Sequence, residues 1–354
     1  MVDPALRQIP DGMVDITAPR EIDGLSYIDP DDPAMPMYRV IANNRQPVAL
    51  RDMMIRPVRT GYIGTGAPKP DPELVPPTGE EAVPGVDVSE VYIPIEGGVA
   101  RCQLYRPESA PPDATLPVIV YYHGGGFTVG SSEDTDFIAR KLSYSNDALV
   151  VSANYRLAPE FPFPAPFDDA MGVYNWVADN AARLGGDARR IAVGGDSAGS
   201  NFAAAVPLRA RDEGVRVPDA VILLGAFTDF HGERWESFMR MAPRGIVYDS
   251  AFFGFIRGAY LPNTAWSHPW ASPIEGDLTG YPLAIVATGT HDPIVDSARA
   301  FGDRIRSHGG RVVEYYPEGM PHGFYFFPGV HAEEAVAFRI VAETLRPLLW
   351  DEET

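Results

Sequence analysis

Residues 195–199 read Gly195-Asp196-Ser197-Ala198-Gly199, and well upstream residues 123–126 read His123-Gly124-Gly125-Gly126. The first stretch fits G-x-S-x-G, a pattern that stands a serine on a strained turn between a strand and a helix. There the serine oxygen is exposed above a sheet, and the N–H of the next residue points at a developing oxyanion. Glycines flank Ser197 because such a turn brings backbones too close for a Cβ. The His-Gly-Gly-Gly stretch is of the kind that lends further N–H groups to the same oxyanion hole. Patterns this short recur by chance, so the flanking sequence decides. Arg190-Ile191-Ala192-Val193 is a largely apolar run of buried-strand type, and Asn201 to Val206 is alanine-rich and suited to a helix packed on a sheet. Val118-Ile119-Val120-Tyr121-Tyr122 is a strong strand that ends where His123 and its glycines begin. Both motifs therefore stand at strand ends.

The competing reading is a plain glycine turn, or a phosphate cradle at a helix N-terminus. The chain has 29 Lys and Arg, of which only Lys69 and Lys141 are lysines. A Walker loop needs Gly-Lys-Ser/Thr, whereas Lys69 stands in Pro68-Lys69-Pro70 and Lys141 precedes Leu142. No G-x-G-x-x-G follows a strand, which speaks against a dinucleotide site. A Ser-x-x-Lys acyl enzyme is disfavoured because position 200 is Ser200, and Schiff-base chemistry is poorly served by so few lysines. The expectation is a site that needs no cofactor.

A formal net charge of −19 argues against nucleic acid and against anionic membrane surfaces, both of which want basic patches. The 354 residues suit an α/β fold with an appended subdomain, and a hydrophobic content of 45% is ample for its core. The single cysteine, Cys102, excludes an internal disulfide and fits a reducing compartment. It lies in the strand-like run Val99 to Tyr105 and reads as a buried structural thiol. The opening Met1-Val2-Asp3-Pro4 shows no basic-then-apolar leader, and no apolar run approaches the roughly 20 residues that span a bilayer. A cytoplasmic protein without a membrane partner is the expectation; a homodimer is left open.

Residues 1 to about 56 hold helix-compatible stretches, Val48 to Ile55 among them, and residues 57–85 form a proline-rich linker. From about residue 88 strands and helices alternate. Strands are expected at 89–95, 99–105, 117–122, 148–153, 190–194, 219–226, 283–288 and 311–316. Helical patterns fall near 134–145, 166–182, 198–212, 249–260, 296–307 and 332–347. The alternation after residue 117 implies a mostly parallel sheet covered on both faces. Residues 227–270 interrupt it with 11 Phe, Trp or Tyr in 44 positions, including Trp235, Phe238, Phe252, Phe253, Phe255 and Trp266. Most of these rings read as packing of a peripheral subdomain, and a few as the apolar wall of a pocket over Ser197.

A serine hydroxyl needs a neighbouring base that is itself oriented by a carboxylate. In the order Ser, Asp or Glu, His, the base follows Ser197. His231 and His268 bracket the aromatic stretch, too early in that order. His308 reads as a helix C-terminal cap and His331 as opening the last helix. His322 lies in the turn-rich Gly319-Met320-Pro321-His322-Gly323-Phe324, just beyond the strand Val312 to Tyr316, where parallel sheets put their sites. For the acid, Asp292 follows the strand Leu283 to Thr288 and is favoured over Asp296, which reads as the N-cap of the next helix. His291 beside it belongs to no recognisable metal-ligand spacing, so no metal is expected.

Together these motifs resemble the hormone-sensitive-lipase-like family of bacterial esterases, within the α/β-hydrolase fold. The residues that carry the likeness are His123 to Phe127, Tyr155-Arg156-Leu157-Ala158-Pro159-Glu160, Gly195 to Gly199, Asp292-Pro293 and His322-Gly323-Phe324. The likeness runs from about residue 88 to the C-terminus. It implies an eight-stranded, mostly parallel sheet flanked by helices, with Ser197 as nucleophile, His322 as base and Asp292 as its acid. It further implies oxyanion N–H groups from Gly125, Gly126 and Ala198, and a structural role near the site for His123 and for Tyr155 to Glu160. A helical cap is implied too, built from residues 1–85 and an insertion at about 227–270 in a catalytic domain spanning 86–354. Ile294 stands where the acid motif usually has leucine. The expected activity is hydrolysis of short- to medium-chain carboxylic esters through an acyl-enzyme. An acyltransferase or amidase would use the same triad. A non-catalytic receptor, as in the related plant gibberellin receptor, would lack the histidine that His322 supplies.

Overall fold

The computed structural model describes residues 1–18, 79–242, 250–262, 265–326, 328 and 332–350. The helix-compatible stretch at 48–55 and the proline-rich run up to residue 78 lie outside them.

Eight strands form one sheet: β1 (Val86–Ile95), β2 (Gly98–Pro107), β3 (Leu116–Tyr122), β4 (Leu149–Ala153), β5 (Gly186–Asp196), β6 (Ala220–Leu224), β7 (Leu283–Ala287) and β8 (Val312–Tyr315). Their order across the sheet is β1-β2-β4-β3-β5-β6-β7-β8. β1 pairs antiparallel with β2, and β2 with β4; every later pairing is parallel. All residues of β3, β4 and β6 are buried, as in parallel strands covered on both faces.

The helices of the described residues are α1 (Gly79–Ala82), α2 (Asp136–Asn146), α3 (Ala165–Asn180), α4 (Ala198–Glu213), α5 (Glu236–Met241), α6 (Ser250–Tyr260), α7 (Val295–Ser307) and α8 (Ala332–Trp350). Successive strand residues serve opposite faces. Val118, Val120, Val193 and Leu223 join a core with residues of α3, α4 and α7, while Ile119, Tyr121, Ala192 and Ile222 join one with α2 and α8. None of the described helices is long and apolar enough to cross a membrane.

Each expected strand is present. The largest displacement is in β5, which begins at Gly186 instead of 190. There Leu116 pairs with Gly186 and Val118 with Ile191, so a bulge absorbs Asp187 to Arg190, of which the sequence pattern places only Arg190 in the strand. Asp187 holds that bulge by accepting from the Arg189 N–H at 2.9 Å and from the Arg190 side chain at 3.0 Å. The first 18 residues lie against the body of the sheet: Ile16 and Val14 bond the backbone of Val99, and Asp3 pairs with Arg183 at 2.8 Å. Cys102 is fully buried, and burial pushes its thiol up, as suits a structural residue.

Between β6 and β7 the aromatic stretch folds as α5, α6 and irregular chain. Its rings pack on one another and on the body: Phe238 on Phe253 at 4.7 Å between centroids, and Tyr260 stacked on Phe127 at 4.0 Å.

Candidate active site

β5 delivers Ser197 and α4 leaves from it. Ser197 has φ 51° and ψ −116°, a positive φ that a non-glycine residue adopts only under constraint. The constraint is visible in its neighbours. Ser197 N donates to Leu224 O at 2.8 Å, and Ser200 Oγ donates to Ser197 O at 2.6 Å. A Cβ on Gly195 would fall 2.3 Å from the Gly199 carbonyl, and one on Gly199 2.0 Å from Tyr122 O. The turn closes only because both positions are glycine.

The loops after β7 and β8 supply the partners. His322 Nε2 lies 2.9 Å from Ser197 Oγ, and His322 Nδ1 lies 2.6 Å from Asp292 Oδ2. Asp292 is fully buried and its Oδ1 accepts from Ile294 N at 3.1 Å. The two loops are stitched by His291 N to Met320 O at 3.0 Å and Gly319 N to Thr290 Oγ1 at 2.8 Å. With a carboxylate at Nδ1, the neutral imidazole carries its proton there and leaves Nε2 to accept from the serine. Burial works to lower the His322 pKa. The Asp292 charge and hydrogen bond outweigh it, with a smaller push from Asp196, so the pKa stands above its ordinary value.

Gly125 and Gly126 both have positive φ, 115° and 59°, and a Cβ on Gly125 would lie 1.9 Å from Val129 O. Their loop closes on itself as Thr128 N and Val129 N donate to Gly125 O. Among the described residues no carbonyl accepts the N–H groups of Gly125, Gly126 or Ala198. Ala198 is the first residue of α4, where such an N–H has no partner within the helix. A Cβ on Gly126 would meet Ile256 at 2.7 Å and Phe252 at 3.0 Å, so α6 of the insertion lies directly over this loop.

His123 stacks on Tyr155 at 4.2 Å, and Tyr155 Oη donates to His123 O at 2.6 Å. Burial lowers the His123 pKa to about 4, which keeps the ring neutral in its fixed place. Arg156 grips the buried Asp169, with its closest contact at 2.7 Å. These contacts hold the chain beneath the site.

Asp296 departs from the N-cap role read for it. α7 starts at Val295 with Ile294 in the capping position, so Asp296 sits inside the first turn. Its carboxylate is turned outward, accepting from Ser237 N of α5 at 2.8 Å, with Arg299 at 3.5 Å. It thus caps the start of a different helix. His308 takes the C-cap position of α7, its Nδ1 2.8 Å from Arg304 O. His331 lies outside the described residues; α8 is described from Ala332. His231 is 2.8 Å from Ser267 Oγ, and His291 is exposed.

One cluster was not visible in the sequence. Ligand atoms of Asp229, His231 and Glu275 lie within 4.8 Å of one another, although Glu275 lies beyond the aromatic stretch, on the chain leading into β7. Asp229 accepts from His231 N at 2.8 Å and from Trp235 Nε1 at 2.9 Å, and Arg234 pairs with both acids. Arg234 already supplies the cation, so the donor set is committed to protein partners.

A sequence model described as the alpha/beta hydrolase fold matches residues 119–326. Carboxylesterase NlhH of Mycobacterium tuberculosis is 38% identical over 216 residues, 60% of this chain and 67% of its own. Esterase LipI of the same organism is 34% identical over 268 residues, 73% of this chain and 83% of its own. Among solved structures, EstE1, a thermophilic and thermostable carboxylesterase cloned from a metagenomic library, aligns with a TM-score of 0.72 at 36% identity. That alignment spans 75% of this chain and 90% of EstE1. The chain belongs to the α/β-hydrolase family, in its hormone-sensitive-lipase-like branch.

Proposed function

We propose that the chain is a serine carboxylesterase in which Ser197, His322 and Asp292 hydrolyse short- to medium-chain acyl esters by way of an acyl-enzyme. Ester hydrolysis as the reaction class follows from the family; the residue roles rest on the contiguous contacts of 2.9 Å and 2.6 Å that link Ser197, His322 and Asp292. Ser197 Oγ attacks the ester carbonyl carbon as His322 Nε2 takes its proton. Asp292 keeps the proton on Nδ1 and stabilises the imidazolium that forms. The carbonyl oxygen becomes an oxyanion held by the N–H groups of Gly125, Gly126 and Ala198. As the intermediate collapses, the C–O bond to the alcohol breaks and His322 returns its proton to the leaving oxygen. Water then attacks the acyl-serine by the same steps, releasing the acid and restoring Ser197. Phe252 and Ile256, close above Gly126, offer apolar contact to a substrate at that point.

The test is a phosphonate ester directed at serine, with the modified peptide mapped by mass spectrometry. Stoichiometric labelling of Ser197 with loss of ester hydrolysis is expected. Labelling elsewhere overturns the assignment. A panel of nitrophenyl esters of graded acyl length, run with and without added alcohol, then reads chain preference and separates hydrolysis from acyl transfer.

A further inference from the structure

Asp196 occupies the variable position before Ser197, at the carboxyl end of β5. It is fully buried, and the relay from Ser197 to Asp292 does not pass through it. On one side Tyr121 Oη, from the adjacent strand β3, donates to Asp196 Oδ1 at 3.0 Å. On the other, Oδ2 lies against Gly124, where a Cβ would fall 2.2 Å from it. Burial lifts the carboxyl to about 7, against the pull of Tyr121, His322 and the Gly124 N–H. Even so, Oδ2 reaches hydrogen-bonding geometry with no protein partner.

A buried carboxyl with an unpartnered oxygen is costly to the fold and calls for an explanation. What the position offers is contact with both halves of the site. It is covalently next to the nucleophile, and it abuts the first glycine of the oxyanion loop. From the other direction that loop is held by His123 Nδ1 at 2.6 Å from Gly124 O, and by Tyr155 Oη on His123 O.

We propose that the Asp196 carboxyl, steadied by Tyr121, is the stop against which Gly124 rests. It would thereby set the height of the Gly125 and Gly126 N–H groups above Ser197. The inference rests on the proposed roles of Ser197 and those N–H groups. Asp196 touches no reacting atom and is a positioning residue. Oxyanion N–H groups act on the transition state, and a displacement of about 1 Å in such a site costs about 10²-fold in rate. Loss of the stop therefore lowers kcat and spares KM.

Phosphonate labelling of the unaltered protein comes first; its failure at Ser197 would remove the nucleophile assignment without bearing on Asp196. Asp196→Ala, Asp196→Asn and Tyr121→Phe are then compared on one short-chain nitrophenyl ester, with thermal midpoints as the check on folding. Asp196→Ala is expected to lower kcat about 10²-fold with KM within about threefold. Asp196→Asn keeps the shape that rests against Gly124 and still offers Tyr121 a hydrogen-bond partner, so it should stay within about fivefold of the parent. Tyr121→Phe should fall between them. A folded Asp196→Ala with parental kcat, a loss confined to KM, or an Asn variant as damaged as the Ala variant would each overturn the proposal. Should the alanine variant not fold, Gly124→Ala tests the same contact from the loop side. Gly124 is not in the left-handed region, so alanine is allowed there, but its Cβ would be driven into Oδ2. A kcat lowered at least about tenfold with KM retained is expected; an unchanged kcat would overturn the stop.

Discussion

Ser197, Asp292 and His322 stand on loops tied to one another by main-chain hydrogen bonds, whereas the aromatic stretch between β6 and β7 leans mainly on rings and side chains, with Phe163 N to Tyr260 O at 2.8 Å as a main-chain tie to the body. Ser197 N to Leu224 O, Gly225 N to Ala287 O at 2.7 Å and His291 N to Met320 O run from strand end to strand end across the site. The insertion instead leans on Phe238 against Phe253 and on Tyr260 against Phe127. Arg257 adds a contact between Trp266, 4.1 Å from its ring, and Glu233. Main-chain bonds fix direction and distance to a few tenths of an ångström, as chemistry at Ser197 requires. Ring packing is broad in angle and tolerant of exchange. Substitutions in the first region should therefore act on kcat, and those in the second on KM, chain preference and stability.

The largest effect should come from Ser197→Ala, which is expected to lower kcat about 10⁶-fold. His322→Ala should do the same, and the double variant should be no worse than either alone, because the pair acts as a unit. Asp292→Asn should cost about 10⁴-fold, through loss of the tautomer that leaves Nε2 free to accept. Steady-state rates on one nitrophenyl ester measure all three. If Asp296→Asn were more damaging than Asp292→Asn, the acid would be misassigned.

A pH profile sharpens the same region. The neutral imidazole is the active form, and the His322 pKa is raised in the folded chain. Activity should thus fall on the acid side with a midpoint above the ordinary histidine value of about 6.5. Linkage runs the other way for the fold. A group whose folded pKa is raised contributes stability below its unfolded pKa, and that contribution is lost as pH rises through the folded value. Acid inactivation in this window should accordingly be reversible, with no drop in thermal midpoint from this group. A flat profile down to pH 4 would count against a histidine base. Asp292→Asn, measured at its residual rate, should move the acid limb downward, since burial is then less opposed.

In the insertion, Phe252→Ala removes a ring that sits over Gly126. It should change the relative kcat/KM of long against short acyl esters by about tenfold, with kcat on the shortest ester close to the parent. An equal fall on every ester would place Phe252 with the loop's positioning and not with substrate choice.

How far these regions were legible differs for the same physical reason. Strands buried on both faces announce themselves as apolar runs, and loops beyond their carboxyl ends locate His322 and Asp292. Glycine at 195 and 199 is dictated locally by the turn. The contact of Asp196 with Gly124 joins chain segments more than 70 residues apart through one side-chain oxygen, and no periodicity encodes it. The gathering of Asp229, His231, Arg234 and Glu275 is hidden likewise, because it exists only after the insertion has folded back. Asp296 was misread because a capping preference names a helix start and not whose helix it will serve.

That residue gives the smallest effect and the cleanest contrast. Asp296 lies four residues from Asp292, yet its carboxylate reaches Ser237 N at the first turn of α5, while Ser237 Oγ donates to Pro293 O at 2.8 Å. It joins the insertion to the loop that bears the acid. Removing a helix-capping carboxylate costs about 1 kcal/mol, which in a chain of this size lowers the thermal midpoint by about 2 °C. Asp296→Ala should show that shift and faster proteolysis in residues 236–260, with kcat within about threefold of the parent on a short ester. Asp296→Asn keeps an oxygen for Ser237 N and should recover most of the midpoint. Asp292→Asn should do the reverse, losing activity with little change in midpoint. A variant of Asp296 that lost activity as steeply as one of Asp292 would mean that the insertion and the strand-end site are one mechanical unit, and the distinction between them would fail.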